Sequence, residues 1–331
     1  MLKRRSFVMG AAACATGAFA PARAQTFPNK PIKALLGLSA GGGADALARA
    51  LFRAMETQLR QPLVLENRPG AGTTLAAEAV ARAEPDGYTL YVATGSYVTS
   101  GVLLQQRGAA LQRTGVDLFD GLAPVSLMFT APYCIATSAG SGIRSVQDVL
   151  ERARKEPGLL GYASSGVGSQ PHFAGELFQS ITRTRMLHVP YRGLAPGIMD
   201  VLGGQVPLVF SDMNSVFPRH RSGEMKILAV TGNSRPALAP DIPTMAEAGV
   251  PGMDISAWQG YLVPAKTPRE RIDLLSATVR SSLADPGLRA KILENAGVPA
   301  DAAPAHFQAF LDKERHIYRQ LAETAGIKAE F

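Results

Sequence analysis

The stretch IKALLGLSAGGGADALARALFRAMETQL, Ile32 to Leu59, decides the fold class. Ile32 to Leu38 is apolar apart from Lys33, as expected of a strand buried on both faces. Gly41-Gly42-Gly43 ends that run, and Leu47, Leu51, Met55 and Leu59 then fall on one stripe of a helix from Ala44. Working outward, Leu63–Glu66 predicts a second strand, Arg68-Pro69-Gly70-Ala71-Gly72 a loop and Thr74–Ala83 a helix. Pro85-Asp86-Gly87 predicts a turn and Thr89–Ala93 a third strand. The order β-α-β-α-β is that of an α/β protein with a parallel sheet.

A second α/β unit follows. Ser145–Lys155 is helical, opened by the capping pattern Ser145-Val-Gln-Asp148. Leu159–Tyr162 is a strand, Ser164–Gln170 a loop of small residues, and a helical pattern runs on through Phe178. Strands at Met186–Val189, Val206–Phe210 and Ile227–Val230 alternate with helices at Leu194–Leu202 and Met213–His220. Two long extended stretches, Val125–Thr137 and Ile255–Val263, flank this unit, and helices over Pro268–Leu283, Pro286–Ala296 and Pro304–Ala325 close the chain. Two α/β units joined by two extended segments predict two lobes with a double hinge. Residues 25–124 and 254–331 form the first lobe, and residues 125–253 the second. Ligands in such sheets bind at the carboxyl ends of strands, beside helix N-termini.

The chain has 331 residues and a formal charge of +7. Residues 1–24, MLKRRSFVMGAAACATGAFAPARA, have a basic start, an apolar middle and a small-x-small end at Ala22-Arg23-Ala24, which reads as a secretory signal peptide. Their removal takes away four cations and no acid, so the charge falls to +3. Arg4-Arg5-Ser6-Phe7-Val8 fits a twin-arginine export motif as well as an ordinary secretory start. The rest lacks a dense Lys/Arg patch with interleaved aromatics, which argues against nucleic acid as a partner. Cys14 leaves with the signal, and Cys134, in the apolar run LMFTAPYCIAT, reads as a buried structural cysteine. No other run is apolar for the length of a membrane span. The expectation is an exported, periplasmic, soluble monomer without a cofactor.

Three readings compete for the first glycine loop. Gly37-Leu38-Ser39-Ala40-Gly41 matches the nucleophile elbow G-x-S-x-G, but three glycines separate Ser39 from the helix, and no histidine is singled out as its base. Gly41, Gly43 and Ala46 match a dinucleotide fingerprint, with Glu66 ending the next strand, so an exported nicotinamide-dependent oxidoreductase is an alternative. The third reading is a carboxylate site. A small anion needs N–H donors and a positive helix end, and the loops Ser39–Asp45 and Ser164–Gln170 offer one in each unit. Metal-ligand spacings of the H-E-x-x-H or paired-cysteine kind are missing.

The segments FPNKPIKALLGLSAGGGADALAR, LVLENRPGAGTTLAAEAVARAEPDGYTLYVAT, LGYASSGVGSQPHFAGELF, HVPYRG, GGQVPLVFSDM, LAVTGNSRPALAPDIPTMAEAGVPG and WQGYLVPAKTP occur in this order. Together they resemble the extracytoplasmic receptors of tripartite tricarboxylate transporters, the Bug family. The resemblance implies the type II periplasmic binding protein fold, with two crossing strands as hinge. It further implies a carboxylate-bearing ligand in the interlobe cleft, delivered to membrane permease subunits. A sensor kinase as partner, in a signalling role, is the alternative within the same fold. Small organic acids and acidic amino acids are the candidate ligands. The site residues it implies are Ser39, Ala40, Gly42, Gly43 and Asp45 of the first loop, and Ser96 and Tyr97 in a pocket-facing loop after the third strand. On the second lobe they are Ser164, Ser165, Gly166, Ser169 and Gln170. One ligand carboxylate would meet backbone amides at Ala40–Gly43 and the other end Ser164–Gln170. Asp212 either caps the next helix or reaches the cleft, where it would repel a dicarboxylate and favour an amino group. Trp258, the single tryptophan, reads as hinge packing.

Overall fold

A computed structural model describes residues 27–106, 117–294 and 296–328, so the export signal at residues 1–24 lies outside the described residues. Strands β1 (Ile32–Leu36), β2 (Leu63–Asn67) and β3 (Thr89–Thr94) pair in parallel in the order β2-β1-β3. Helices α1 (Gly43–Leu59) and α2 (Thr74–Ala81) make the crossovers. The stripe read from sequence is the buried face of α1, with Leu47, Leu51, Phe52 and Met55 nearly inaccessible. The second parallel group is β6-β5-β7, from β5 (Gly161–Ser164), β6 (Leu187–Pro190) and β7 (Leu208–Asp212). Its helices are α4 (Val146–Lys155), α5 (Gln170–Thr182), α6 (Leu194–Leu202) and α7 (Met213–Arg221). The predicted cap of α4 forms: Ser145 Oγ accepts from the Asp148 N–H, and the Asp148 carboxylate accepts from the Arg144 N–H.

Two long antiparallel strands join the groups. β4 (Leu122–Ser138) pairs along Leu122–Pro132 with β9 (Ser256–Pro264), and over Tyr133–Ser138 with β7 and β8 (Met225–Val230). β9 also pairs with β3. One strand thus leaves the first sheet and enters the second between Pro132 and Tyr133, and the continuous order is β2-β1-β3-β9-β4-β7-β5-β6. The extended stretches read at Val125–Thr137 and Ile255–Val263 are these two crossing strands. β10 (Val298–Ala302), unread in the sequence, adds to β4. Helices α8 (Arg269–Leu283), α9 (Pro286–Glu294) and α10 (Pro304–Thr324) complete the protein, and no helix among the described residues is long and apolar enough to cross a membrane.

One prediction fails here. Ser96 and Tyr97 are not in a loop but in the first turn of helix α3 (Gly95–Gln106). This helix is buried on every side from Gly95 to Leu104, so its sequence lacks the apolar stripe that marks a surface helix.

Candidate ligand site

The parallel strands of both sheets are each followed, directly or after a short loop, by a helix, so the junction collects helix N-termini. A cavity lies there. Its floor is Phe129 and Tyr133 of β4 with Ala257, Trp258 and Gln259 of β9. Its walls are the starts of α1 (Gly42, Gly43, Ala44), α3 (Ser96), α5 (Gln170, Pro171), α6 (Gly193, Leu194, Ala195) and α7 (Asp212, Asn214, Ser215). None of the lining residues is Lys, Arg or His. Positive potential therefore comes from main-chain N–H groups and helix dipoles. The N-caps of α1 and α6 are glycines, Gly42 and Gly193, and neither helix start is satisfied by a capping side chain.

The first loop is shaped by Asp45. Its carboxylate accepts from Arg49 Nε at 3.1 Å, Arg49 Nη2 at 3.0 Å, Asn67 Nδ2 at 3.0 Å and the Gly41 N–H at 3.1 Å. Burial pushes its pKa up, but these bonds and the Arg49 charge outweigh that and hold the carboxyl below the ordinary range. With its oxygens so engaged, Asp45 fixes the turn that presents the Gly43 and Ala44 amides. Ser39 Oγ donates across the junction to the Arg192 carbonyl, next to Gly193. Gly193 has φ +105°, and a Cβ there would lie 3.0 Å from Ser39 Oγ, so both backbone and space call for glycine.

The second loop behaves differently from its reading as an open nest. The Gly166 N–H donates to Ser164 Oγ, the Gly168 N–H to His172 Nδ1, the Ser169 N–H to the Gly166 carbonyl and the Gln170 N–H to Ser96 Oγ. Thr99 and Ser100 of α3 donate to the Gly168 carbonyl at 2.7 and 2.9 Å. The loop is therefore docked on the first sheet's helix α3, with most of its amides occupied. The Gln170 side chain extends this tie: Tyr133 OH donates to its Oε1 at 2.9 Å, and its Nε2 donates to the Ser256 carbonyl and Tyr318 OH.

Of the residues expected at the site, the structure brings Ser39, Gly42, Gly43, Asp45, Ser96, Ser165, Gln170 and Asp212 to this cavity. Gly166 and Ser169 face an adjoining cavity that shares Leu38, Ser96, Ser165 and Gly193 with the first. Ala40 is exposed and lines neither. Ser164 is fully buried beneath its loop, with Oγ 2.6 Å from His188 Nε2. Tyr97 corrects the pocket-facing expectation. Its ring packs edge-on against Tyr91 and Phe119, and its hydroxyl donates to the Leu118 carbonyl, so it belongs to the core. Asp212 does both things considered for it: Oδ1 accepts from the Ser215 N–H at 2.9 Å as N-cap of α7, and the residue lines the cavity. Burial raises its pKa. Trp258 packs between Phe307 and Phe310, donates Nε1 to Glu314 Oε2 at 2.9 Å, and adds one surface to the floor.

The two enzyme motifs find other employment. The Ser39 hydroxyl is bonded to main chain, and no histidine lines the cavity. Glu66 pairs with Lys33 and Arg68 at the surface. Residues missed by sequence reasoning are Thr94, Gly193–Ala195, Asn214, Ser215 and Gln259. A glycine in place of a capping side chain before Leu194 was the one signal that could have exposed the α6 terminus. The amides on β9 and α7 carried none.

The sequence matches the family described as tripartite tricarboxylate transporter family receptor over residues 47–322. A UPF0065 protein of Bordetella bronchiseptica is 33% identical over 307 residues, covering 93% of this chain and 89% of the relative. The protein BugT of Bordetella pertussis is 29% identical, with 97% of each covered. The solved periplasmic binding protein BugD superposes with a TM-score of 0.85 at 28% identity, covering 91% of this chain and 99% of that one. Rpa4515 of R. palustris with adipate gives 0.85 at 30% identity with the same coverage. MatC of Rhodopseudomonas palustris with bound malate gives 0.82 at 26%, covering 89% and 99%. Two α/β sheets joined by crossing strands, a cavity ringed by helix N-termini and a match over most of its length place this chain in the family of tripartite tricarboxylate transporter receptors.

Proposed function

We propose that the protein is a periplasmic receptor that captures a small carboxylate-bearing solute between its lobes and hands it to a membrane permease, without catalysing a reaction. The observation that carries this reading is the set of helix N-termini around a cavity lined by no cationic side chain. Such a site suits a small anion held by N–H groups. The ligands named for two solved relatives, adipate and malate, are carboxylates and support the same class.

On this reading the ligand carboxylate meets the uncapped starts of α1 and α6, which lie on different lobes. The lobe boundaries are those read from the sequence, 25–124 with 254–331 and 125–253. Bonds to both helix starts form only with the lobes together, so ligand shifts the population toward the closed form, which the permease would recognise. Micromolar affinity needs about 8 kcal/mol, within reach of several charge-assisted hydrogen bonds after desolvation. The test is native mass spectrometry of the protein as purified, followed by thermal shift against organic acids. Stabilisation by at least one carboxylate is expected. Stabilisation by none, with a nicotinamide cofactor bound instead, would overturn the reading.

A further inference from the structure

We propose that Asp212 makes this site selective for carboxylates that also carry an amino group. The inference deepens the carboxylate reading and rests on it.

The charge inventory of the cavity leads there. Two carboxylates line it, Asp45 and Asp212. Asp45 is balanced by the bidentate Arg49. Asp212 accepts from the Ser215 N–H, and among the described residues no Lys, Arg or His forms an ion pair with it. A second acid of a dicarboxylate would enter the same confined space as this uncompensated group, and like charges in low dielectric disfavour each other.

A second observation is independent of charge. Asn214 is 5% exposed and Gln259 is fully buried, and each leaves its side-chain oxygen without a hydrogen-bond partner; the buried Thr94 hydroxyl is a third such atom. All three residues line this cavity. Buried polar atoms in native proteins are as a rule satisfied, so three at one site mark places where a ligand supplies the partner. The Thr94 hydroxyl can donate or accept, whereas the two amide oxygens and the Asp212 carboxylate call for donors. A primary ammonium group offers three protons and no acceptor, and its charge offsets that of Asp212. A plain dicarboxylate offers no donor and adds to the negative charge. The carboxylate of the same ligand is left for the N–H groups of α1 and α6.

The experiment is calorimetric titration of the exported form with matched acids. Succinate, glutarate and adipate form one set; 3-aminopropanoate, 4-aminobutanoate, 5-aminopentanoate, aspartate and glutamate form the other. The tightest amino acid should bind at least tenfold more tightly than the tightest dicarboxylate. Asp212→Asn and Asp212→Ser both retain an N-cap side chain, so α7 stays intact, and ligand-free melting checks this. Each should reduce the preference tenfold or more. A dicarboxylate as tightest ligand, or a preference unchanged in both variants, overturns the inference while the carboxylate reading stands. Failure of every carboxylate to bind overturns both.

Discussion

Asp45→Ala separates a residue that shapes the binding loop from one that touches ligand. The substitution removes four hydrogen bonds at once: two from Arg49, one from Asn67 and one from the Gly41 N–H. Arg49 is itself half-exposed and recovers water, so its ion pair contributes only modestly. Asn67 Nδ2 keeps the Leu38 carbonyl at 3.0 Å. The Gly41 N–H loses its acceptor, and the buried carboxylate site collapses. Together these amount to a loss of about 2–4 kcal/mol. Unfolding entropy of about 2 cal/mol/K per residue, over roughly 300 residues, converts this to a fall in Tm of about 3–6 °C. Ligand binding should weaken as well, because the Gly43 and Ala44 amides lose their fixed orientation. The loss should be of similar factor for every ligand that binds, since Asp45 has no free oxygen with which to discriminate. Differential scanning calorimetry and titration calorimetry read both effects. A variant with unchanged Tm, or one that loses affinity for amino acids alone, would refute the assignment of Asp45 as a positioning residue.

Three further outcomes follow from the same geometry. A Cβ at Gly95 would overlap the Gln170 side chain, so Gly95→Ala should displace the Tyr133, Ser256 and Tyr318 contacts, lower Tm by several degrees and weaken binding more than tenfold; thermal shift and calorimetry check this, and wild-type affinity would contradict it. Ser39→Ala removes one hydrogen bond across the junction, worth about 1 kcal/mol, and should speed ligand release about fivefold in stopped-flow displacement; an unchanged off-rate would show that this bond is no strap. Burial lowers the His172 pKa to about 4, and burial together with His172 lowers that of His188 to about 3, the two rings being stacked at 4.0 Å. Folded-state pKa values below the unfolded 6.5 mean that the unfolded chain binds protons first, so this contribution to stability is complete above pH 6.5 and is lost as pH falls toward 4. Glu314, raised to about 7 by burial, titrates in the opposite sense, so the comparison is with His172→Asn, whose Tm should decline less than that of the wild type between pH 6.5 and 5; parallel curves would contradict the assignment.

Much of the architecture was legible because burial on both faces leaves mostly apolar runs, as at β1, β4 and β9. α3 was not legible for the same reason: buried all round, its residues show no period. The first glycine loop read correctly as a helix start because its neighbours, Asp45 and Asn67, lie within one β-α-β unit. The docking of the loop Ser164–Gln170 on α3 was not legible because the groups that hold it there, Ser96, Thr99 and Ser100, come from another element far away in sequence. Small residues there allow close docking against α3, and sequence alone does not separate that from an open anion nest. Asn214 and Gln259 stayed hidden because a single amide in a strand or helix turn carries no pattern. Their unmet hydrogen bonds emerge only when β9 and α7 share a cavity.

The most direct test is a crystal structure of the protein with its tightest carboxylate ligand. The ligand carboxylate should lie about 3 Å from the N–H groups at the start of α1, Gly43 or Ala44, and from those at the start of α6, Leu194 or Ala195. A carboxylate held by a side-chain cation such as Arg192, or seated away from both helix ends, would contradict the account.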